Sequence, residues 1–170
     1  KQLLEFGVQP DILVCRTEHE LTDSVRTKVA RFCNVAPNAV IQSIDADTIY
    51  DVPLLLMEEK LDLVVLNKLG MPTTDEEPNL QSWRSFLDHH KHPKSNITIG
   101  LVGKYVELKD SYKSIAEALI HAGAALEVNV DIDWIHSESI QSKNAASKLK
   151  HLDGIIVAPG FGSRGIDGKI

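Results

Sequence analysis

Three glycines spaced Gly160-x-Gly162-x-x-Gly165 directly follow an apolar run at residues 153–158. Glycine at a strand end admits positive φ and leaves backbone N–H groups uncovered by side chains. Such amides stabilise an oxyanion in acyl transfer when a nucleophile lies beside them. A plain strand-to-helix turn uses the same residues, so both readings stand at this level. A dinucleotide site shares the spacing, but it belongs on the first strand of its unit, with an acidic residue roughly 20 positions later. Here the glycines follow a third strand, which argues against that site. A second candidate, Gly100 to Gly103 followed by Lys104 and Tyr105, has the look of a phosphate loop. Its glycines are too close together, and no Ser or Thr follows the lysine. The two cysteines, Cys15 and Cys33, lie in the other half and read as small buried hydrophobes. Arg164, inside the glycine-rich loop, suits an anionic partner that moves with it. Lys28 and Lys113 read by themselves as solvated helix positions, and Asp45 as a turn residue or cap.

The elements that must carry these residues are α/β in rhythm. Residues 11–16 form a nearly continuous apolar run, as in a buried parallel strand. Asp23 is placed to cap a helix bearing Val25, Val29 and Phe32 at helical spacing. A strand at 39–44 follows, then a helix over 49–60 with Pro53 in its first turn. Residues 61–69 continue it or form another helix. Texture changes at 71–96, where glycine, prolines, threonines and acids surround a short helix with the apolar stripe Leu80, Trp83 and Leu87. This stretch is expected to be an inter-domain linker carrying a docking helix. The pattern then restarts. A strand at 97–102 leads to a helix capped by Asp110 or Ser111, with Ile115, Leu119 and Ala122 on one face and Gly123 at its end. A half-exposed strand at 128–135, a helix over 143–152 and a buried strand at 153–158 complete a βαβαβ unit. In such sheets ligands sit beyond the carboxyl ends of the strands.

Composition excludes several classes. The chain has 170 residues, 43% apolar and 25% charged, which suits folded α/β domains. A net charge of -6 opposes a nucleic-acid clamp, which needs clustered Lys and Arg. No apolar run approaches the roughly 20 residues that span a bilayer, and no signal peptide is visible. Two thiols without metal-like spacing suit a cytoplasmic location. The first residue is Lys rather than Met, the opening Lys1-Gln2-Leu3-Leu4 is already helical, and Ile170 follows a glycine turn; both ends are expected to be cut.

Several strings resemble the cytidine triphosphate synthase family. They are DILVCR at 11–16, TKVARFCNV at 27–35, IDADTIYDVPLLL at 44–56, VGKYVELKDSYKSIAEAL at 102–119 and APGFGSRGIDGK at 158–169. They occur in that family's order and cover nearly the whole chain outside the linker. The GKY-x-E-L-x-D-x-Y-x-S string is the most specific. The glycine turn alone suggests only a class I glutamine amidotransferase.

The resemblance implies two incomplete doubly wound parallel-sheet domains joined by a linker. Residues 1–70 would end an amidoligase domain, 71–96 would link, and 97–170 would begin a glutamine amidotransferase domain. In the family, ATP and Mg2+ serve to phosphorylate the 4-oxygen of UTP, and ammonia then displaces phosphate to give CTP. A Cys-His-Glu triad releases that ammonia from glutamine, GTP activates, CTP inhibits, and the enzyme is a homotetramer. By the same resemblance Lys28 contacts UTP or CTP, and Ile44, Asp45 and Ala46 contact ATP near adenine. Gly160 binds glutamine and helps form the oxyanion hole. Arg164, Gly165 and Asp167 belong to a lid that answers GTP, and Lys113 couples the domains. Two positions depart from the family. Pro159 stands where a first glycine is usual and has no N–H to give; Asp167 replaces a glutamate and is one methylene shorter. No catalytic triad member and no metal ligand is assigned within the chain, so the 170 residues alone are expected to be inactive. Another glutamine amidotransferase and a non-enzymatic doubly wound binding or receiver module are the rivals. The first would need a different partner domain, and the second an acidic pocket where Gly103-Lys104-Tyr105 stands.

Overall fold

The computed structural model describes residues 2–74, 76, 78–160 and 162–170. Lys1, Asp75, Glu77 and Phe161, on which parts of the expected opening helix, linker and glycine turn fall, lie outside the described residues. The chain divides into two compact units, Lys1–Pro78 and Asn79–Ile170.

The first unit contains α1 (Gln2–Glu5), β1 (Leu13–Thr17), α2 (Asp23–Cys33), β2 (Val40–Ile44), α3 (Val52–Glu58) and α4 (Leu61–Lys68). The two strands pair in parallel, Leu13 opposite Val40 and Thr17 opposite Ile44. Its core is Ala39, Ile41 and Val64, with Ile12, Val35, Leu56 and Leu61 packed around them. β1 is not the buried run expected of residues 11–16. Side chains alternate across a strand, and here Val14 and Arg16 are exposed while Leu13, Cys15 and Thr17 are partly covered.

The α2 cap also differs from expectation. Thr22, extended at φ -64° and ψ 153°, accepts from the Val25 N–H at 3.4 Å, and Asp23 is the first helical residue. There its carboxylate still favours the helix N-terminus. Val25 and Phe32 stay exposed, because α2 turns its short Ala30 inward instead. Residues 61–69 form a separate helix, since Lys60 adopts a left-handed φ of 59° and breaks the chain direction. Beneath the sheet end, Arg26 on α2 grips Glu59 at 2.7 and 3.2 Å and also donates to the Val40 carbonyl. The Gln42 N–H donates to the same carboxylate at 3.1 Å, so one ion pair ties α2, β2 and the end of α3.

The second unit contains α5 (Gln81–Lys91), β3 (Ser95–Gly103), α6 (Lys113–Ala125), β4 (Val128–His136), α7 (Ala145–Leu149) and β5 (Gly154–Val157). All three strands are parallel in the order β4-β3-β5. Central β3 is packed on both faces. Leu101 joins Tyr112 and Ala158, with Ile115 of α6 packed against them, while Val102 joins Ile135 and Ile140, with Ala145 and Leu149 of α7 alongside. Helices on opposite faces of a parallel sheet make this the opening of a doubly wound fold.

Several boundaries move. β5 stands at the edge, so Ile155 and Val157 are exposed and the strand is not buried throughout. Neither Asp110 nor Ser111 caps α6; both lie in the 3-10 turn Lys109–Tyr112, and α6 begins after it without a side-chain cap. Gly123 lies inside α6 rather than ending it. A Cβ there would come within 2.6 Å of the Val128 carbonyl oxygen, so glycine is needed where the helix crosses the start of β4. α7 occupies five residues of the expected 143–152. α5, the helix expected between the domains, groups with the second unit, where Phe86 meets His121 of α6 edge-on at 5.6 Å. No helix among the described residues is long and apolar enough to cross a membrane.

Candidate functional site

Parallel sheets gather functional groups where their strands end, because the following turns converge there. In the first unit, the end of β1 and the turn after β2 border a cleft of about 450 Å³ lined by Arg16, Ile44, Asp45, Ala46, Ile49 and Val52 among others. The Asp45 N–H donates to the Thr17 carbonyl at 3.1 Å, extending the strand pairing and fixing the turn. Arg16 donates through Nε to Asp45 at 3.1 Å across the cleft edge, and both side chains are largely open to water. An apolar wall with one guanidinium and one carboxylate fits a flat, hydrogen-bonding heterocycle. Ile44, Asp45 and Ala46 thus lie together in one wall. Lys28 does not join them; it is exposed on α2, outside the cleft lining. Arg16 was not singled out in the sequence. Its signal was a charged residue closing an otherwise apolar strand.

In the second unit, the order β4-β3-β5 reverses beside β3, so the β3/β5 boundary is a topological switch point, where ligands of open α/β sheets bind. Lys104 follows β3 there, and the glycine turn follows β5. Lys104 is only 2% exposed, and its Nζ donates to the Gly162 carbonyl at 2.6 Å. Lys169 donates to the Ala158 carbonyl at 2.7 Å. Gly160 is exposed between these anchors. A Cβ on it would meet Lys169 Nζ at 3.1 Å and Lys104 Cδ at 3.3 Å. Burial holds the Lys104 ammonium below the ordinary lysine range; repulsion from Lys169 and Arg164 adds to this and Glu138 opposes it.

The remaining expected residues are dispersed around this crevice. Arg164 pairs with Glu138, just after β4, at 3.1 Å. Gly165 adopts φ +69°, and a side chain there would collide with Ser137 Oγ. That hydroxyl is fully buried and without a hydrogen-bond partner among the described residues. Asp167 lines a groove of about 330 Å³ on the α7 side, with Ile140, Leu149, Ile155 and Val157. Lys113 opens α6 and pairs with Glu117 at 2.5 Å, outside the Gly160 group. Cys15 and Cys33 belong to the first unit, and burial pushes the Cys15 thiol up, the neighbouring Cys33 adding to it. Sequence reading missed Lys104, which it set aside with the false phosphate loop. It also missed His136, which closes β4 with Glu107 at 3.5 Å.

Comparison with known proteins matches a different family within each unit. Residues 1–71 match the family described as CTP synthase N-terminus, and residues 107–170 match glutamine amidotransferase class-I. The whole chain is 60% identical over 170 residues to a CTP synthase of Christiangramia forsetii, covering 31% of it. It is 60% identical to one of Flavobacterium psychrophilum, covering 32%, and 52% identical over 176 residues to one of Methanocaldococcus jannaschii, covering 32%. The chain therefore spans about a third of the length of these relatives.

Proposed function

We propose that the chain belongs to the CTP synthase family and serves the glutamine-dependent amination of UTP to CTP. One observation carries the reading: a single chain, 60% identical throughout to a CTP synthase, joins a ligase segment to a glutaminase segment. Neither rival explains that union. Another amidotransferase would lack the first segment, and a receiver-like module would lack both.

On this reading the first unit binds the phosphoryl donor. Ile44, Ile49 and Val52 receive the adenine of ATP, Ala46 and the Asp45 backbone border it, and Arg16 lies over its edge or face. Lys28 offers a cation to UTP or to the inhibitor CTP. Mg2+ accompanies ATP in such chemistry, but the described residues assemble no group of three or more His, Cys, Asp or Glu to hold it. The second unit holds glutamine at Gly160, whose backbone supports negative charge on the amide oxygen during ammonia release. Pro159 withdraws one N–H from that turn, leaving Gly160 the greater share. Arg164, Gly165 and Asp167 form the segment that responds to GTP, with the Arg164–Glu138 pair as its resting contact. Lys113 serves coupling between the two activities. Cytoplasmic placement and assembly as a homotetramer belong to the same proposal; free thiols at Cys15 and Cys33 suit a reducing compartment.

The test grafts this chain into the Christiangramia forsetii relative in place of its matching third. The graft is expected to form CTP from UTP and ATP with either glutamine or ammonia. Gly160→Ala pushes on Lys104 and Lys169 and should raise the ratio of ammonia- to glutamine-supported turnover by about tenfold or more. A folded graft inert with both nitrogen sources, or an unchanged ratio, would contradict the reading.

A further inference from the structure

We propose that Lys104 is a positioning residue for the glycine turn, holding it in its glutamine-binding shape through the Gly162 carbonyl; this rests on the glutaminase reading above. Lysine is rarely buried, because an ammonium loses its hydration there unless backbone or acid replaces it. A packing role alone would be met by Leu or Met. Here the ammonium crosses the switch point from the end of β3 to the turn after β5 and binds a carbonyl at 2.6 Å. Lys169 binds the Ala158 carbonyl at 2.7 Å, so the turn is anchored on both sides of Gly160.

Both anchors crowd Gly160, since a Cβ would stand 3.1 Å from the Lys169 Nζ and 3.3 Å from the Lys104 Cδ, so a side chain there would push on both lysines. The base of Lys104 is itself fixed. Its N–H and that of Tyr105 donate to the Tyr112 hydroxyl at 3.0 and 3.3 Å, and Tyr112 is buried. Gly103 makes room for this, as a Cβ there would lie 2.7 Å from the Tyr112 ring. A rigid line therefore runs from Tyr112 through the Lys104 backbone and side chain to Gly162. Charge-assisted hydrogen bonds of this kind hold a flexible glycine backbone in one geometry. The Lys169 ammonium beside Gly160 also favours negative charge developing there. Lys104 acts on the reacting amide through the backbone, not by contact.

The experiment compares Lys104→Met, which keeps bulk, and Lys104→Arg, which keeps the cation, with the unaltered 170-residue chain. Trypsin cleavage after exposed Arg164 reports opening of the turn, and amide NMR reports its geometry. Lys104→Met should speed that cleavage about tenfold, the loss of one charged hydrogen bond, and shift the Gly160 and Gly162 amides while Ala124 stays in place. Lys104→Arg should recover most of both. In the graft, Lys104→Met should lower kcat/KM for glutamine about tenfold, and Lys104→Arg should recover most of it. Native cleavage and unshifted glycine amides in folded Lys104→Met would overturn the proposal. Should that variant not fold, a scalar coupling between the unaltered Lys104 ammonium and the Gly162 carbonyl carbon decides, its absence being the contrary result. A graft inert toward glutamine with Lys104 intact would defeat the glutaminase reading instead, whatever the spectra show.

Discussion

Each unit presents its candidate site where parallel strands end, yet the two handle charge in opposite ways. Around the first cleft, Arg16 and Asp45 form an ion pair in water, 85% and 50% exposed. At the second crevice, Lys104 is buried and committed to the backbone. Exposed pairs contribute about 0–1 kcal/mol and exchange partners easily, which suits side chains that must meet a ligand. A buried ammonium gives up hydration and fixes whatever it binds. The cleft is thus built for side-chain contact, the crevice for backbone contact. In the first unit the more sheltered charges are the half-buried Arg26–Glu59 pair, whose side chains are 22% and 17% exposed.

That contrast sets the order of effects. Arg26→Met leaves Glu59 with the Gln42 N–H alone and should destabilise the first unit by about 2–3 kcal/mol, read as faster amide exchange at Val40 and Ile41. Loss of only a few tenths would mean that water already screens the pair. Tyr112→Phe strips two backbone N–H groups of their acceptor and should cost the second unit about 2 kcal/mol, followed by Trp134 fluorescence in urea. The smallest effect on stability belongs to Arg16→Met, under about 1 kcal/mol, although adenine nucleotide affinity by calorimetry should fall about fivefold or more. A large stability loss there would erase the contrast.

Acidity sharpens it further. Burial pushes the Glu59 carboxyl up, but hydrogen bonds from Arg26 and the Gln42 N–H, with the Arg26 charge, outweigh it and leave it below the ordinary range. Its stabilising contribution is whole above about pH 4.3 and is lost as pH falls through the lower folded value. For Lys104, whose folded value is depressed, the charged form burdens the fold. That burden lifts as pH rises through the folded value toward about 10.4, so stability gains across that window. Urea midpoints against pH should show an acid slope that Glu59→Gln flattens and an alkaline slope that Lys104→Met flattens.

Much of this architecture was legible because short-range patterns carry it. The short apolar runs at 97–102 and 153–158, bounded by turn residues, read as strands, and the glycines after the second marked a turn at a strand end. The alternation over 128–135 likewise matched β4. Boundaries that depend on tertiary neighbours were not legible. Gly123 read as a helix end because its reason, the Val128 carbonyl, lies outside the helix. Asp23 read as the cap of α2, but the extended backbone at Thr22 gives that place to the threonine. Lys104 was misread for a similar reason. Its partner Gly162 is 58 positions away, and a lysine after a glycine looks solvated until the sheet order brings β3 beside β5.

The central claim is that this chain joins a nucleotide cleft to a glutamine turn in one amination. Glutamine labelled with 15N in its amide, supplied to the graft with UTP and ATP, tests it most directly. The account predicts CTP carrying the label on its 4-amino nitrogen. Folded graft that hydrolyses ATP yet leaves labelled glutamine and UTP untouched would contradict it.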